Sequence, residues 1–236
     1  MADYRSVEQT LLTATGLTRR PIAVAYRDAA PAGVTKFSGT EPSGCSFWRL
    51  AAAGRVFYTV AADHYNCAVG SYTHNVPLPP ERAPELEQTL AFMTGLGYLK
   101  MEEVPGIARL PRTPVVIVYA PLGETPVDPD VVLFAGSPAH VMLLQEAAIR
   151  AGVASTTPLL GRPTCMALPA ALASGAMASS GCVGNRVYTG IGGDELYVAI
   201  PGRDLERIAR EIATIGTANS ELRKYHETRR ASLATE

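Results

Sequence analysis

Four cysteines are the residues of this chain most suited to chemistry: Cys45, Cys67, Cys165 and Cys182. A thiolate is a nucleophile and a soft metal ligand, and four converging thiolates form the ligand set of an iron–sulfur cluster or a structural zinc. The cysteines are 22 residues apart in the first pair and 17 in the second, and no Cys-x-x-Cys pair occurs. Because structural zinc sites usually contain such pairs, the pattern favours a [4Fe–4S] cluster over zinc.

Two other interpretations of the cysteines stay open. Cysteine is among the most buried residue types and packs as a small hydrophobe, so the thiols could hold no cofactor. Thiol catalysis would instead need a lowered thiol pKa, from a helix N-terminus at Cys45 or from Arg186, four residues after Cys182. His64, three residues before Cys67, could pair with that thiol, or it could be a structural histidine at a strand end.

Five side chains near the cysteines are candidates for binding a small molecule. They are Trp48, His64, Asn66, Asn185 and Arg186. The tryptophan could stack on a ligand or pack in the core, and the arginine could bind an anion or form a surface ion pair. No phosphate-binding loop, dinucleotide fingerprint, Gly-x-Ser-x-Gly elbow or His-Glu-x-x-His motif occurs. With Arg186 and Asn185 to orient the ligand, we expect a small anionic metabolite.

Segments around the cysteines recur along the chain. Residues 66–74 and 181–190 both contain Cys, then Val-Gly, then Tyr-Thr. A Pro–apolar–Tyr run recurs at 21–26 and 114–119, and an Ala-rich segment follows both Cys45 and Cys165. We interpret this as a diverged internal duplication, with pseudo-repeats of about 17–105 and 106–228, whose pseudo-twofold axis would bring the cysteines together. The alternative is that α/β proteins reuse such short combinations often enough to look repeated.

The apolar patterns predict the elements that must position these residues. Strands are predicted at 21–26, 55–60, 114–119, 130–136 and 195–200, and helices at 3–16, 46–54, 79–97, 137–150 and from 201 onward. The predicted fold is a single compact α/β unit spanning 1–236, in which mixed sheets pack against helices. The strand at 56–60 and the helix at 137–150 have more apolar residues than one core face needs, so we also expect a homodimer.

Composition excludes several classes of function. The chain has 236 residues, 47% of them hydrophobic, and a formal net charge of −1. Nucleic acid is not expected as a partner because binding phosphates needs a clustered basic excess. No apolar run approaches the roughly 20 residues that span a bilayer, and the polar N-terminus does not resemble a signal peptide. We expect a cytoplasmic protein whose cysteines are thiols or ligands rather than disulfides.

Several motifs together resemble the family of uncharacterised proteins called DUF169, or ArCR. They are Cys45–Trp48, Asn66–Gly70, Pro129–Val132, Gly184–Tyr188 and Ala199–Pro201. The likeness extends over roughly residues 17–228 and implies a cytoplasmic bacterial or archaeal protein, but no catalytic residues. The expected function is thus an iron–sulfur-dependent enzyme acting on a small anionic metabolite. The alternative is a non-catalytic sensor of a metal, a cluster or a metabolite.

Overall fold

The computed structural model describes residues 3–153 and 158–233, which form one mixed sheet with helices on both faces. The strands are β1 (Ile22–Arg27), β2 (Phe57–Thr59), β3 (Val116–Pro121), β4 (Val131–Gly136), β5 (Leu159–Leu160), β6 (Met177–Ser179) and β7 (Leu196–Pro201). The helices are α1 (Tyr4–Thr15), α2 (Gly44–Ala52), α3 (Ala68–Thr73), α4 (Pro84–Gly95), α5 (Pro138–Arg150), α6 (Ala167–Ser174), α7 (Val183–Thr189) and α8 (Leu205–Leu233). The predicted α/β class is confirmed.

Two cores lie on opposite faces of the sheet because successive strand residues point to opposite sides. In β1, Ile22 and Val24 face a core shared with α2 and α6, whereas Ala23 faces a core shared with α1, α5 and α8. Every residue of β3 and β4 is buried. This explains why these strands are continuous apolar runs in the sequence rather than alternating ones.

The strand order does not follow the predicted repeat. The runs at 21–26 and 114–119 were expected to form equivalent strands, but β1 and β3 are antiparallel neighbours with different partners on their other sides. The strands are arranged in the order β2-β3-β1-β4-β7-β6-β5. The first six of them are symmetrical about the central pair of β1 and β4, in which Ala23 lies opposite Val132. The two strands are therefore not each other's counterparts, and an internal duplication stays a prediction.

The apolar residues from which we expected a homodimer have partners within the chain. In α5, Val141, Leu143 and Leu144 belong to the core beneath α8, and Phe57 of β2 belongs to the core on the other face. The homodimer therefore stays a prediction without this support. Within the part of the chain that the structure describes, no helix has the length and apolar character needed to cross a membrane.

Candidate functional site

The four cysteines line one cavity of about 650 Å³, although they come from four separate segments. Cys45 is the second residue of α2, and Cys165 lies in the 3-10 turn before α6. Cys67 and Cys182 are the N-cap residues of α3 and α7. Cys45 and Cys165 are buried, whereas Cys67 and Cys182 are partly exposed. We call this space the cysteine cavity.

Backbone contacts fix the cysteine-bearing segments. The Gly70 N–H donates a hydrogen bond to the Cys67 sulfur at 3.2 Å. A Cβ at position 70 would approach that sulfur to 3.1 Å, so glycine gives the thiol its space. The Cys182 N–H donates to Thr164 Oγ1 at 2.5 Å, which ties the segment of Cys182 to the turn that carries Cys165. The first bond therefore fixes Cys67 on its own helix, and the second joins the segments of Cys165 and Cys182.

Burial raises the pKa of three of the four thiols. The pKa of Cys45 is raised by burial first and then by Cys165, whereas the neighbouring Asn185 carboxamide acts in the opposite direction. Burial likewise raises the pKa values of Cys165 and Cys67, and other thiols of the set add to it. Because a reactive thiol needs a lowered pKa, this environment does not favour the thiol-catalysis interpretation.

The four thiols line one cavity but are not grouped as the ligands of a single metal ion. Among the described residues, no group of three or more His, Cys, Asp or Glu side chains is arranged so that it could hold a metal ion. A tetrahedral zinc site needs four ligands around one ion. In a [4Fe–4S] cluster each cysteine binds a different iron, so its sulfurs stand farther apart. The cavity has the number and type of donors that such a cluster uses.

The remaining wall of the cavity is largely apolar. Its apolar side chains come from α3, α4, α7 and the segment between α4 and β3: Val69, Leu90, Phe92, Met93, Leu96, Tyr98, Leu99, Ile107, Val183 and Tyr188. Arg162 is the charged side chain in the described wall. Its guanidinium pairs with Glu103 at 2.8 Å and lies 4.8 Å from the ring centre of Tyr98. Its Nε atom is buried without a hydrogen-bond partner.

Asn185 is the one candidate ligand residue that lines this cavity. Its side chain is only 2% exposed, and its Oδ1 and Nδ2 atoms have almost no solvent-accessible surface. The carboxamide lies beside the Cys45 thiol and the Tyr197 hydroxyl, where its hydrogen bonding acts against the rise in pKa that burial causes at both groups. The polar atoms of Asn185 therefore face these neighbours rather than the open space of the cavity.

Trp48 and His64 lie outside the cavity, in the core. Trp48 packs edge-on against Tyr197, with ring centres 5.5 Å apart, and lines a smaller cavity elsewhere. The His64 Nε2 atom hydrogen-bonds the Thr59 hydroxyl at 2.8 Å, and its ring stacks on His74. Burial lowers the pKa of His64 to about 3, so it is a neutral structural histidine, as the alternative interpretation stated.

Asn66 and Arg186 also point elsewhere. The exposed Asn66 amide donates to the Glu41 carbonyl at 3.0 Å and accepts from Arg82. The Arg186 guanidinium donates to three backbone carbonyls, those of Gly192 at 2.6 Å, Glu195 at 3.0 Å and Ser180. This arginine therefore fastens the loop between α7 and β7, and its donors are not directed at the cavity.

Sequence reasoning missed Arg162 and the contribution of α4. A signal for α4 was present, because no residue of this helix is buried although it includes Phe92 and is followed directly by Leu96. Large apolar side chains without a core to fill indicate a surface with another purpose. Nothing in the residues around Arg162 marked it, since its place in the wall depends on the fold.

Comparison with known proteins gives a family but no activity. The model of DUF169, described as uncharacterised ArCR, matches residues 10–211. An uncharacterized protein of Methanocaldococcus jannaschii is 29% identical over 181 residues, which cover 73% of this chain and 76% of that protein. No solved structure matches.

Proposed function

The chain belongs to the DUF169 family, and on that premise we propose that its four cysteines hold a [4Fe–4S] cluster that serves the chemistry of a small molecule in the same cavity. One observation carries the proposal: every cysteine of the chain lines the cysteine cavity. If the thiols were only small hydrophobes, they could be divided between the two cores of the sheet. All four instead lie on the α2 and α6 side.

The surroundings of the thiols suit a cationic cluster core. The described wall of the cavity includes no Asp or Glu, so thiolates would be its anions. Without a cation, burial and the neighbouring thiols raise the pKa values of Cys45 and Cys165 and keep these two thiols protonated. A cluster would displace the protons and pair each thiolate with an iron, and such binding depends on pH.

The residues of the chain would have distinct tasks in a loaded site. The Gly70 N–H already donates to the Cys67 sulfur, and Asn185 lies next to Cys45, so both could donate hydrogen bonds to ligating sulfurs. The apolar wall would exclude water from the sulfurs. When bound through all four cysteines, the cluster would supply electron transfer.

The anionic character of the metabolite stays a prediction. This prediction was based on Arg186, but the Arg186 guanidinium is hydrogen-bonded to backbone carbonyls. Arg162 is the cationic side chain in the described wall. An anionic ligand in the cavity would therefore meet Arg162 rather than Arg186. The homodimer and the non-catalytic alternative are likewise untested predictions.

Anaerobic reconstitution with iron and sulfide, applied to the full chain and four single Cys→Ser variants, tests the proposal. We expect the visible absorbance of an iron–sulfur protein in the unmodified chain and its loss or marked reduction in each variant. Ser46→Ala, which changes a buried neighbour of Cys45 and leaves every thiol, is the control and should retain it. Equal absorbance in the unmodified chain and its four Cys→Ser variants would defeat the proposal. Turnover of candidate metabolites then separates an enzyme from a sensor.

A further inference from the structure

The cysteine cavity has the size and the wall of a site for an organic molecule. Its volume of about 650 Å³ lies within the range of about 300–1,000 Å³ that is typical of small-molecule pockets. Apart from the cysteines, its wall consists mainly of apolar side chains from α3, α4, α7 and the segment between α4 and β3. A molecule that fits this wall therefore has an apolar body.

Some of these apolar side chains remain in contact with water. Phe92 is 67% exposed and Leu96 is 66% exposed, and Val183 and Tyr188 are also exposed. Helix α4 packs against α3 and buries none of its own residues. An apolar molecule in the cavity would cover part of this surface and remove it from water, which favours binding.

Arg162 is the cationic side chain in the described wall, and one of its donors is available. Its Nη2 atom donates to Glu103 at 2.8 Å, and its Nε atom is buried. Its Nη1 atom keeps accessible surface and has no hydrogen-bond partner among the described residues. Glu103 and the Tyr98 ring, whose centre is 4.8 Å away, hold the guanidinium in place before any ligand arrives. Because a preorganised donor loses little entropy on binding, Nη1 is suited to an anionic group.

The surroundings of Arg162 limit such a ligand to one negative charge. The Arg162 charge is already shared with Glu103, and no other Lys or Arg lines the described wall. A second negative charge would lose its water against apolar side chains without a cation to pair with, which is costly. A carboxylate has a single charge, whereas a phosphate monoester has nearly two at pH 7. The wall therefore favours a monocarboxylate over a phosphorylated molecule.

We propose that the cysteine cavity binds a monocarboxylic acid with an apolar chain or ring, whose carboxylate accepts a hydrogen bond from Arg162. The inference rests on the proposed role of this cavity as a small-molecule site, and it narrows the expected anionic metabolite to this class. The apolar wall contributes affinity for any body of suitable size, and Arg162 selects the acid over neutral molecules of the same shape. This selection depends on no cysteine, so it does not require the cluster.

A matched set of probes tests this assignment: octanoate, octanamide and octanedioate have the same chain length and differ in their end groups. Binding to the full chain is measured by calorimetric titration under anaerobic, reducing conditions, with the iron content measured on the same sample. We expect octanoate to bind at least about fivefold more tightly than octanamide, because hydrogen bonds between charged groups are the stronger ones.

The dicarboxylate tests the apolar body. Octanedioate should bind more weakly than octanoate, because its second carboxylate would lie against the apolar wall. Octanamide binding as tightly as octanoate would overturn the role of Arg162. Tighter binding of octanedioate would overturn the apolar body, and no binding of any probe would overturn the whole inference.

Variants at Arg162 and Glu103 test the pairing from both sides. Arg162→Met keeps an apolar stem without the charge, so octanamide should bind as before and the preference for octanoate should disappear. Glu103→Gln removes the negative charge beside the guanidinium and should tighten octanoate binding by about two- to fivefold. Glu102→Gln makes the same change of charge at the neighbouring exposed residue and is the control. Retained preference in Arg162→Met, or equal octanoate affinities in the two Glu→Gln variants, would overturn the pairing.

Cys182→Ser separates this inference from the cluster. The variant should keep the preference for octanoate even though it prevents cluster binding, because the selection depends on Arg162. Loss of the preference together with the cluster would overturn the independence of the two. Iron content reports on the cluster and probe binding reports on the cavity, so the two proposals fail separately.

Discussion

Cys67 and Cys182 occupy the same position on two different helices. Each is the N-cap residue of a short helix, α3 or α7, and each lines the cysteine cavity. They differ in one contact, because only the Cys67 sulfur accepts a hydrogen bond from its own helix, from the Gly70 N–H. One thiol is therefore both a helix cap and a candidate ligand, whereas the other lacks the capping bond.

This difference predicts unequal effects of alanine at the two positions. Cys67→Ala removes the cap and should lower the free energy of unfolding of the iron-free protein by about 0.5–2 kcal/mol relative to Cys67→Ser, since serine is a good N-cap. The corresponding difference between Cys182→Ala and Cys182→Ser should be smaller. Urea unfolding of the four variants measures both differences. A larger difference at position 182 would contradict the capping role of Cys67.

The stacked pair His64 and His74 predicts acid-sensitive stability. Burial lowers the pKa of His64 to about 3 and that of His74 to about 4, against about 6.5 in an unfolded chain. At a pH between the folded-state and unfolded-state pKa values, the unfolded chain binds more protons than the folded one. The contribution of the two neutral histidines to the free energy of unfolding is therefore fully present above pH 6.5 and is lost as the pH drops toward 4 and then 3. The slope should reach about 1.4 kcal/mol per pH unit for each histidine.

Unfolding measured between pH 7 and pH 4 tests this slope. His64→Gln should reduce it, because one titrating group is removed. His226→Gln, which changes an exposed residue of α8, is the control. An identical pH dependence in the unmodified protein and in His64→Gln would show that the buried histidine is not its source.

Gly202, which follows β7 directly, should tolerate no side chain. A Cβ at this position would lie 1.8 Å from the carbonyl oxygen of Pro129, and its N–H donates to the Asp130 carbonyl at 2.7 Å. Because backbone atoms on both sides would have to move, Gly202→Ala should cost about 3 kcal/mol or more. Gly193→Ala is the control, since no atom lies within 4 Å of its Cβ. Similar unfolding midpoints for both variants would contradict the close approach.

Arg186 should matter for stability. Its guanidinium satisfies the carbonyls of Ser180, Gly192 and Glu195, so Arg186→Met should lower the free energy of unfolding by about 1.5–3 kcal/mol. Arg223→Met, on the exposed part of α8, should change it little. Denaturant unfolding of the two variants gives the comparison. Equal stabilities would show that the loop does not depend on these hydrogen bonds.

The sequence predicts the long elements of the fold because they have strong local signals. Apolar runs next to Pro or Gly identify β1, β3, β4 and β7 to within a few residues. It does not predict α3 and α7 as helices, since they have six and seven residues and include glycine, which disfavours helix. These two helices form through packing around the cavity, which a local pattern does not contain.

The candidate site is predictable only where its residues have a distinctive local signal. Cysteines are scarce and distinctive, so their grouping could be inferred from the chain even though β1 and β3 are not the equivalent strands. Trp48, His64 and Arg186 are residue types that serve ligands and cores equally well. Their partners here, Tyr197, Thr59 and the loop carbonyls, are brought close by long-range packing.

Iron and acid-labile sulfide measured per chain after anaerobic purification test the central proposal most directly. A [4Fe–4S] cluster on four cysteines predicts about four irons and four sulfides per chain, and the loss of both in Cys45→Ser, a buried ligand position. Zinc without sulfide would contradict the cluster. So would a chain that binds neither iron nor sulfide after reconstitution while its four thiols remain free.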